Sequence, residues 1–116
     1  MLLRAPREIP NLRLFVRTIM RVHLTDPDRT YAIGQKGQAD LWGLYRGGLH
    51  IELELKTAKG TMLKRQLAWE AFCRGWDIPH FKLRARVGES AEETVGRWCG
   101  EIRAVVNRSP GDTVQP

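Results

Sequence analysis

With 116 residues, the chain has room for one domain with its own hydrophobic core and too little for two. Apolar residues at 42% and charged residues at 28% exclude a disordered or membrane chain, and no apolar run is long enough to span a bilayer. Lys and Arg outnumber Asp and Glu by 19 to 13, a formal charge of +6 that favours a polyanionic partner without identifying one.

The opening Met1-Leu2-Leu3-Arg4 is interrupted by arginine too early for a signal peptide, so a cytoplasmic protein with no membrane partner is expected. Leu12, Phe15, Val16, Ile19, Met20 and His23 recur at helical spacing, and Arg13, Arg17 and Arg21 form a separate basic row. This pattern predicts an amphipathic helix over about residues 10–24, with Pro10 in its first turn. Asp26-Pro27-Asp28 ends it, because proline and the short acids favour turns. A first short strand is expected over about residues 30–34, and a second from Ala39 to Tyr45 after the Gly34 and Gly37 loop.

Arg46-Gly47-Gly48 then makes a turn into the clearest strand of the chain, Leu49 to Lys56. Ile51, Leu53 and Leu55 fall on one face of it, and His50, Glu52, Glu54 and Lys56 on the other. Leu63, Leu67, Ala71 and Phe72 mark a helix from Met62 to Trp76, which Asp77-Ile78-Pro79 terminates. Phe81, Leu83, Ala85 and Val87 alternate with Lys82, Arg84 and Arg86 as a further strand. Ser90 and Glu93 have capping-box spacing ahead of a last helix whose stripe is Val95, Trp98, Cys99, Ile102, Val105 and Val106. The predicted order is αβββαβα, an α/β (mixed) domain over residues 1–106, with residues 107–116 as a frayed C-terminal tail.

Other conspicuous residues have plain readings. Cys73 and Cys99 are too far apart for a CxxC motif and fit buried free thiols. His23, His50 and His80 are isolated and lack zinc-ligand spacing. Trp42, Trp69, Trp76 and Trp98 are expected in the core or an interface, since the basic stretches lack interleaved aromatics.

The hairpin register decides whether acidic residues meet. A three-residue turn at Arg46-Gly47-Gly48 pairs Tyr45 with Leu49 and sets Asp40 opposite Glu54, with Cβ atoms about 4.5 to 5.5 Å apart. A two-residue turn would send Glu54 to the other face. Two ionised carboxylates at that spacing repel unless a cation lies between them, and oxygen ligands suit Mg2+ or Mn2+. Lys56, two residues beyond Glu54 and on its face, is placed to orient a water or offset leaving-group charge.

These residues resemble a known family. Gly37-Gln38-Ala39-Asp40, Glu54-Leu55-Lys56, Gly60 and Gln66 are similar to the G-x-x-D, E-x-K and helix-borne glutamine of VRR-NUC nucleases, a branch of the PD-(D/E)xK superfamily, over about residues 34–83. The resemblance implies a restriction-endonuclease-like core, a small mixed sheet flanked by helices, and metal-dependent cleavage of DNA phosphodiesters. It implies Asp40, Glu54 and the Leu55 carbonyl as metal ligands, Lys56 acting on the water, and Gln66 supporting the site. It further implies structured DNA, including four-way junctions, as substrate and a symmetric homodimer. Ala39 replaces the proline that usually precedes the aspartate, which removes no ligand. The family's first-helix acid has only Glu8 as a counterpart.

Lys36, Lys59, Lys64 and Arg65 are the candidate phosphate contacts near the site, with Lys82, Arg84 and Arg86 as a second basic row. Glu52 is open between a supporting role and plain strand surface. The competing functional readings are a noncatalytic nucleic-acid-binding module on the same fold and a basic partner-binding subunit.

Overall fold

The computed structural model describes residues 1–2, 4–17, 20–22, 31–33 and 37–107. Their elements are α1 (Arg4–Glu8), β1 (Leu12–Val16), β2 (Met20–Val22), β3 (Tyr31–Ile33), β4 (Leu41–Tyr45), β5 (Leu49–Lys56), α2 (Lys64–Gly75), β6 (His80–Arg84) and α3 (Ala91–Val106). A four-stranded mixed sheet runs β1-β4-β5-β6, and β2 pairs with β3 in a separate antiparallel ribbon. β1 and β4 are antiparallel, as are β4 and β5, while β6 joins β5 in parallel through α2. The chain is thus a mixed α/β domain with a sheet flanked by helices.

In the span 10–24 the described residues form β1 and β2 in place of the expected helix, and the order among the described residues is αβββββαβα. Pro10 and Asn11, the latter at φ +75°, make the turn that separates α1 from β1. Asparagine tolerates this left-handed conformation because its short side chain can bond locally. Leu12 and Leu14 then enter the core while Arg13 and Phe15 point away, a period of two rather than 3.6. Both periods fit the apolar residues of this stretch, and backbone pairing with β4 decides between them.

The central hairpin forms as its turn residues require. Tyr45 pairs with Leu49 and Leu41 with Leu53, so the three-residue register holds. Gly47 and Gly48 have φ of +103° and +95°, values that glycine adopts without a Cβ penalty. The Gly48 amide donates to the Tyr45 carbonyl at 3.1 Å.

One face of the sheet packs Leu12, Leu14, Leu41, Ile51, Leu53 and Leu83 against Ala5 and Ile9 of the α1 region and Trp98, Cys99, Ile102 and Val106 of α3. Leu55, at the end of β5, is half-buried at the margin of that core. The Ser90 hydroxyl accepts from the Glu93 amide at 3.1 Å and starts α3, the bond expected of that cap. Helix α2 covers the opposite face of β5, so Ile51, Glu52, Leu53 and Glu54 are all buried in one strand. Cys73 and Cys99 are buried free thiols, as expected, and burial pushes both thiols up to about 11. Of the four tryptophans, Trp98 is buried, Trp42 and Trp69 are half-buried, and Trp76 is exposed.

Candidate active site

β5 carries the site, and its polar face is not solvent. Glu52 and Glu54 are 1% and 2% exposed beneath α2. A charge taken out of water needs partners, and the two glutamates are provided for very differently.

Glu52 is saturated. Its Oε1 accepts from Arg17 Nη1 and from Trp69 Nε1 at 3.0 Å, and its Oε2 accepts from Arg17 Nη2 at 2.9 Å and contacts His50 Nε2. Burial pushes this carboxyl up, but the bonds from Arg17, His50 and Trp69 outweigh it and hold Glu52 below the ordinary carboxylate value. Arg17 also bonds the Ala39 carbonyl through Nη1, while its backbone amide donates to the Asp40 carbonyl at 3.0 Å. One residue therefore ties β5, β1 and the segment bearing Asp40 together. The sequence pattern places Arg17 on a helical row, so this role is invisible until β1 is seen as a strand.

Glu54 is only half satisfied. Its Oε1 accepts from Gln66 Nε2 at 2.9 Å and lies 3.7 Å from Lys56 Nζ, whereas its buried Oε2 has no hydrogen-bond partner. Burial first, and the charge of Asp40 second, raise its pKa to about 7 against the opposing pull of Lys56 and of the Asp40 backbone amide.

Asp40 lies one residue ahead of the β4 ladder, and the register Leu41 to Leu53 continues to set it opposite Glu54. Its Oδ2 accepts from the Leu55 amide at 2.9 Å. Amide and carbonyl of one strand residue project to the same edge, so the Leu55 carbonyl also faces the Asp40 side, where β4 has ended. The Lys56 carbonyl faces the other way and accepts from the Ala85 amide at 2.9 Å.

Gln66 organises the remaining polar groups. Its Oε1 accepts from Lys56 Nζ and from the Leu63 amide, both at 2.8 Å, leaving Nε2 aimed at Glu54. Two donors on one side and a carboxylate on the other fix the amide's orientation. The bond to Leu63 also caps the start of α2, where Leu63 itself has no side-chain acceptor to offer. Asp40, Glu54, Lys56 and Gln66, four residues named from sequence, are thus brought to one place, with the Leu55 backbone beside them.

The loop ahead of β4 is held against α2. Gly37, at φ +89°, approaches so closely that a Cβ there would lie 2.4 Å from the Arg65 carbonyl oxygen. Lys59, Lys64 and Arg65 are exposed around the site, on the turn after β5 and the first turn of α2. Lys36 lies outside the described residues, as does His23. In the second basic row, Arg84 is committed to structure, since its Nη1 bonds the carbonyls of Thr57, at 3.0 Å, and Gly60. Lys82 and Arg86 are exposed.

Glu8 does not reach the site. It pairs with Arg4 at 3.0 Å, and its carboxyl is lowered first by a hydrogen bond from Cys99 of α3, which places it on the far side of the sheet. His80 is buried against Glu70 at 3.5 Å, and burial lowers its pKa. No group of three or more His, Cys, Asp or Glu side chains able to hold a metal occurs among the described residues, so any ion here would rest on two carboxylates, backbone and water.

No family model, no curated protein and no solved structure matches the chain. Among the described residues, no helix is long and apolar enough to cross a membrane.

Proposed function

We propose that the chain is a divalent-metal-dependent DNA endonuclease with a restriction-endonuclease-like core, hydrolysing phosphodiester bonds at Asp40, Glu54 and Lys56. The observation that carries this reading is the buried Glu54 carboxylate, whose Oε2 lacks any donor although Asp40 lies beside it. What sets Glu54 apart from Glu70, whose Oε2 is also buried without a hydrogen-bond partner, is the second carboxylate beside it, and Mg2+ or Mn2+ would satisfy both acids. Asp40, Glu54 and the Leu55 carbonyl would hold the ion, and water would fill its other positions. Such an ion, when bound, offsets charge on the scissile phosphate and lowers the pKa of water.

The chain's own groups do the rest. Lys56, fixed by Gln66, presents an ammonium beside Glu54 that can orient the attacking water or stabilise the departing oxygen. Lys59, Lys64 and Arg65 hold the DNA backbone near the carboxylates. The net charge of +6 draws a polyanion to the surface as a whole. Four-way DNA requires two incisions, which a symmetric homodimer would supply.

The competing reading is a noncatalytic DNA-binding module, and the small number of acidic ligands favours it. Metal dependence separates the two. Purified protein is incubated with linear, nicked, flapped and four-way DNA, with Mn2+ or with chelator. Cleavage is expected only with the metal and is abolished by Asp40→Asn. Uncut DNA in every metal condition, with binding unaffected by chelator, would establish the binding module instead.

A further inference from the structure

The sheet face that carries the Asp40–Glu54 pair is only partly covered. Trp69 and Gln66 of α2 reach Glu52 and Glu54, while on the β1 and β4 side of the same face Phe15 and Leu44 are exposed and Trp42 is half-buried. On that side Phe15 stacks on Trp42 with ring centroids 4.5 Å apart and planes 23° apart. Trp42 in turn stacks on His50 at 5.5 Å and 16°. Phe15 and Leu44 are 41% and 42% exposed and stand side by side on neighbouring strands. Next to this row is a shallow surface depression whose lining includes Asn11, Arg13, Phe15, Leu44, Tyr45 and Arg46. The lining holds two arginines and no carboxylate.

Aromatic rings beside guanidinium groups suit one ligand class. A nucleobase offers a π face for stacking whatever its identity, and the phosphates on either side of it offer charge to arginine. A paired base in a duplex presents only its edge, so the ring must be unpaired. A symmetric contact through this depression would bring the two arginines of each copy into one interface with no carboxylate from its lining to offset them, which opposes association.

We infer that the open half of this face is a stacking site for unpaired nucleotides, from which a single-stranded segment of DNA runs on to the Asp40–Glu54 pair. The inference rests on the nuclease reading and narrows its substrate to DNA with an unpaired arm. Register supports the continuity. Phe15 is opposite Trp42, and Trp42 and Asp40 are two residues apart on one face, about 6.6 Å along the chain. Because Trp42 lies between Phe15 and His50, the base stacks on the face of Phe15 turned away from Trp42, and the DNA strand continues across the row toward the carboxylates.

The test is equilibrium binding of the full chain, in chelator so that nothing is cut, to a short blunt duplex and to the same duplex with an oligothymidine arm. Wild type is expected to bind the armed duplex about tenfold more tightly, the scale of stacking one or two bases. The ratio of the two dissociation constants should fall to near one in Phe15→Ala and, separately, in Arg46→Ala. Arg46 lies in the exposed hairpin turn, so its replacement keeps the test valid if Phe15→Ala folds poorly. A wild-type ratio near one, or a ratio that survives both substitutions, overturns the inference. So does Phe15→Ala turning a dimer into a monomer with the ratio unchanged, which would make this face a self-contact. Cleavage measured in parallel with Mn2+ separates this from the nuclease reading. Cutting with a ratio near one removes only the stacking site, and a tenfold ratio without cutting removes only the catalysis.

Discussion

Glu54→Gln should stabilise the metal-free protein, and only at neutral or alkaline pH. In the folded chain the Glu54 carboxyl titrates near 7 rather than at its ordinary 4.5. A raised folded pKa means that the group's contribution to stability is fully present below 4.5 and is lost as pH rises through 7. The rise from 4.5 to about 7 corresponds to about 3 kcal/mol, an upper figure because the site can relax or admit water. Glutamine cannot ionise. Its carbonyl oxygen can still accept from Gln66 Nε2, and its amide would put a donor where Oε2 now has no partner, which the negative charge of Asp40 favours. At pH 8 the variant should therefore melt higher than wild type by about 10 °C, taking about 3 to 4 °C per kcal/mol for this chain length. At pH 5 most of the difference should vanish. Calorimetric or circular-dichroism melts in chelator, run for both proteins at both pH values, measure it, and the difference between them removes the titration of all other groups. Added Mg2+ should raise the wild-type Tm at pH 8 and leave the variant where it was. Parallel pH profiles for the two proteins would refute the reasoning, because they would mean that Glu54 is not strained by burial and by Asp40.

Replacing Lys59, Lys64 and Arg65 together with alanine should weaken DNA binding and flatten its salt dependence by up to about three in slope, one for each phosphate no longer neutralised; an unchanged slope returns them to ordinary surface. Arg17→Met should lower stability by about 3 kcal/mol or more in urea titrations, since it strips the buried Glu52 of its main counter-charge. Adding Glu52→Gln to it should recover part of that stability. Gly37→Ala should cost more than Gly47→Ala by about 1 to 2 kcal/mol. Both have positive φ, but a Cβ at Gly37 meets the Arg65 backbone and one at Gly47 meets nothing; equal costs would mean that the loop is not held against α2.

The parts of the fold that are legible in the sequence are those decided by local chemistry. Gly47 and Gly48 admit the turn, strict alternation from Leu49 to Lys56 identifies the strand, and the two together give the register that sets Asp40 against Glu54. The α3 cap is legible for the same reason, because Ser90 and Glu93 meet within one turn. β1 is not legible. Its leucines at positions 12 and 14 compete with a helical reading through Phe15, Val16 and Ile19, and only the distant β4 ladder breaks the tie. The helical reading also hides Arg17, which contacts Glu52 across 35 positions of sequence and has no local signature. The Leu55 amide that holds Asp40 is equally silent in sequence, since any residue but proline supplies an amide there.

β5 is the sheet's most buried strand, and strands covered on both faces are ordinarily apolar along their length. Here one face carries two glutamates two residues apart, at nearly the same depth, under the same helix. Their difference is informative because burial is held constant. Around Glu52 the fold gathers an arginine, a histidine and an indole, enough to keep it ionised. Around Glu54 it supplies the Gln66 amide, an ammonium at 3.7 Å and the nearby Asp40 backbone amide, sets a second carboxylate beside it, and leaves Oε2 without a partner at hydrogen-bond geometry. A fold able to neutralise the first glutamate so fully could have done the same for the second, or replaced it with leucine at no loss of packing. Glu54 is left half paired at a point where Asp40, the Leu55 carbonyl edge and Lys56 converge, and it answers the conflict with Asp40 either by holding a proton or, in the proposed nuclease, by sharing a cation. The proposed function assigns that second role to a divalent cation, whose charge and oxygen preference suit two carboxylates and a carbonyl.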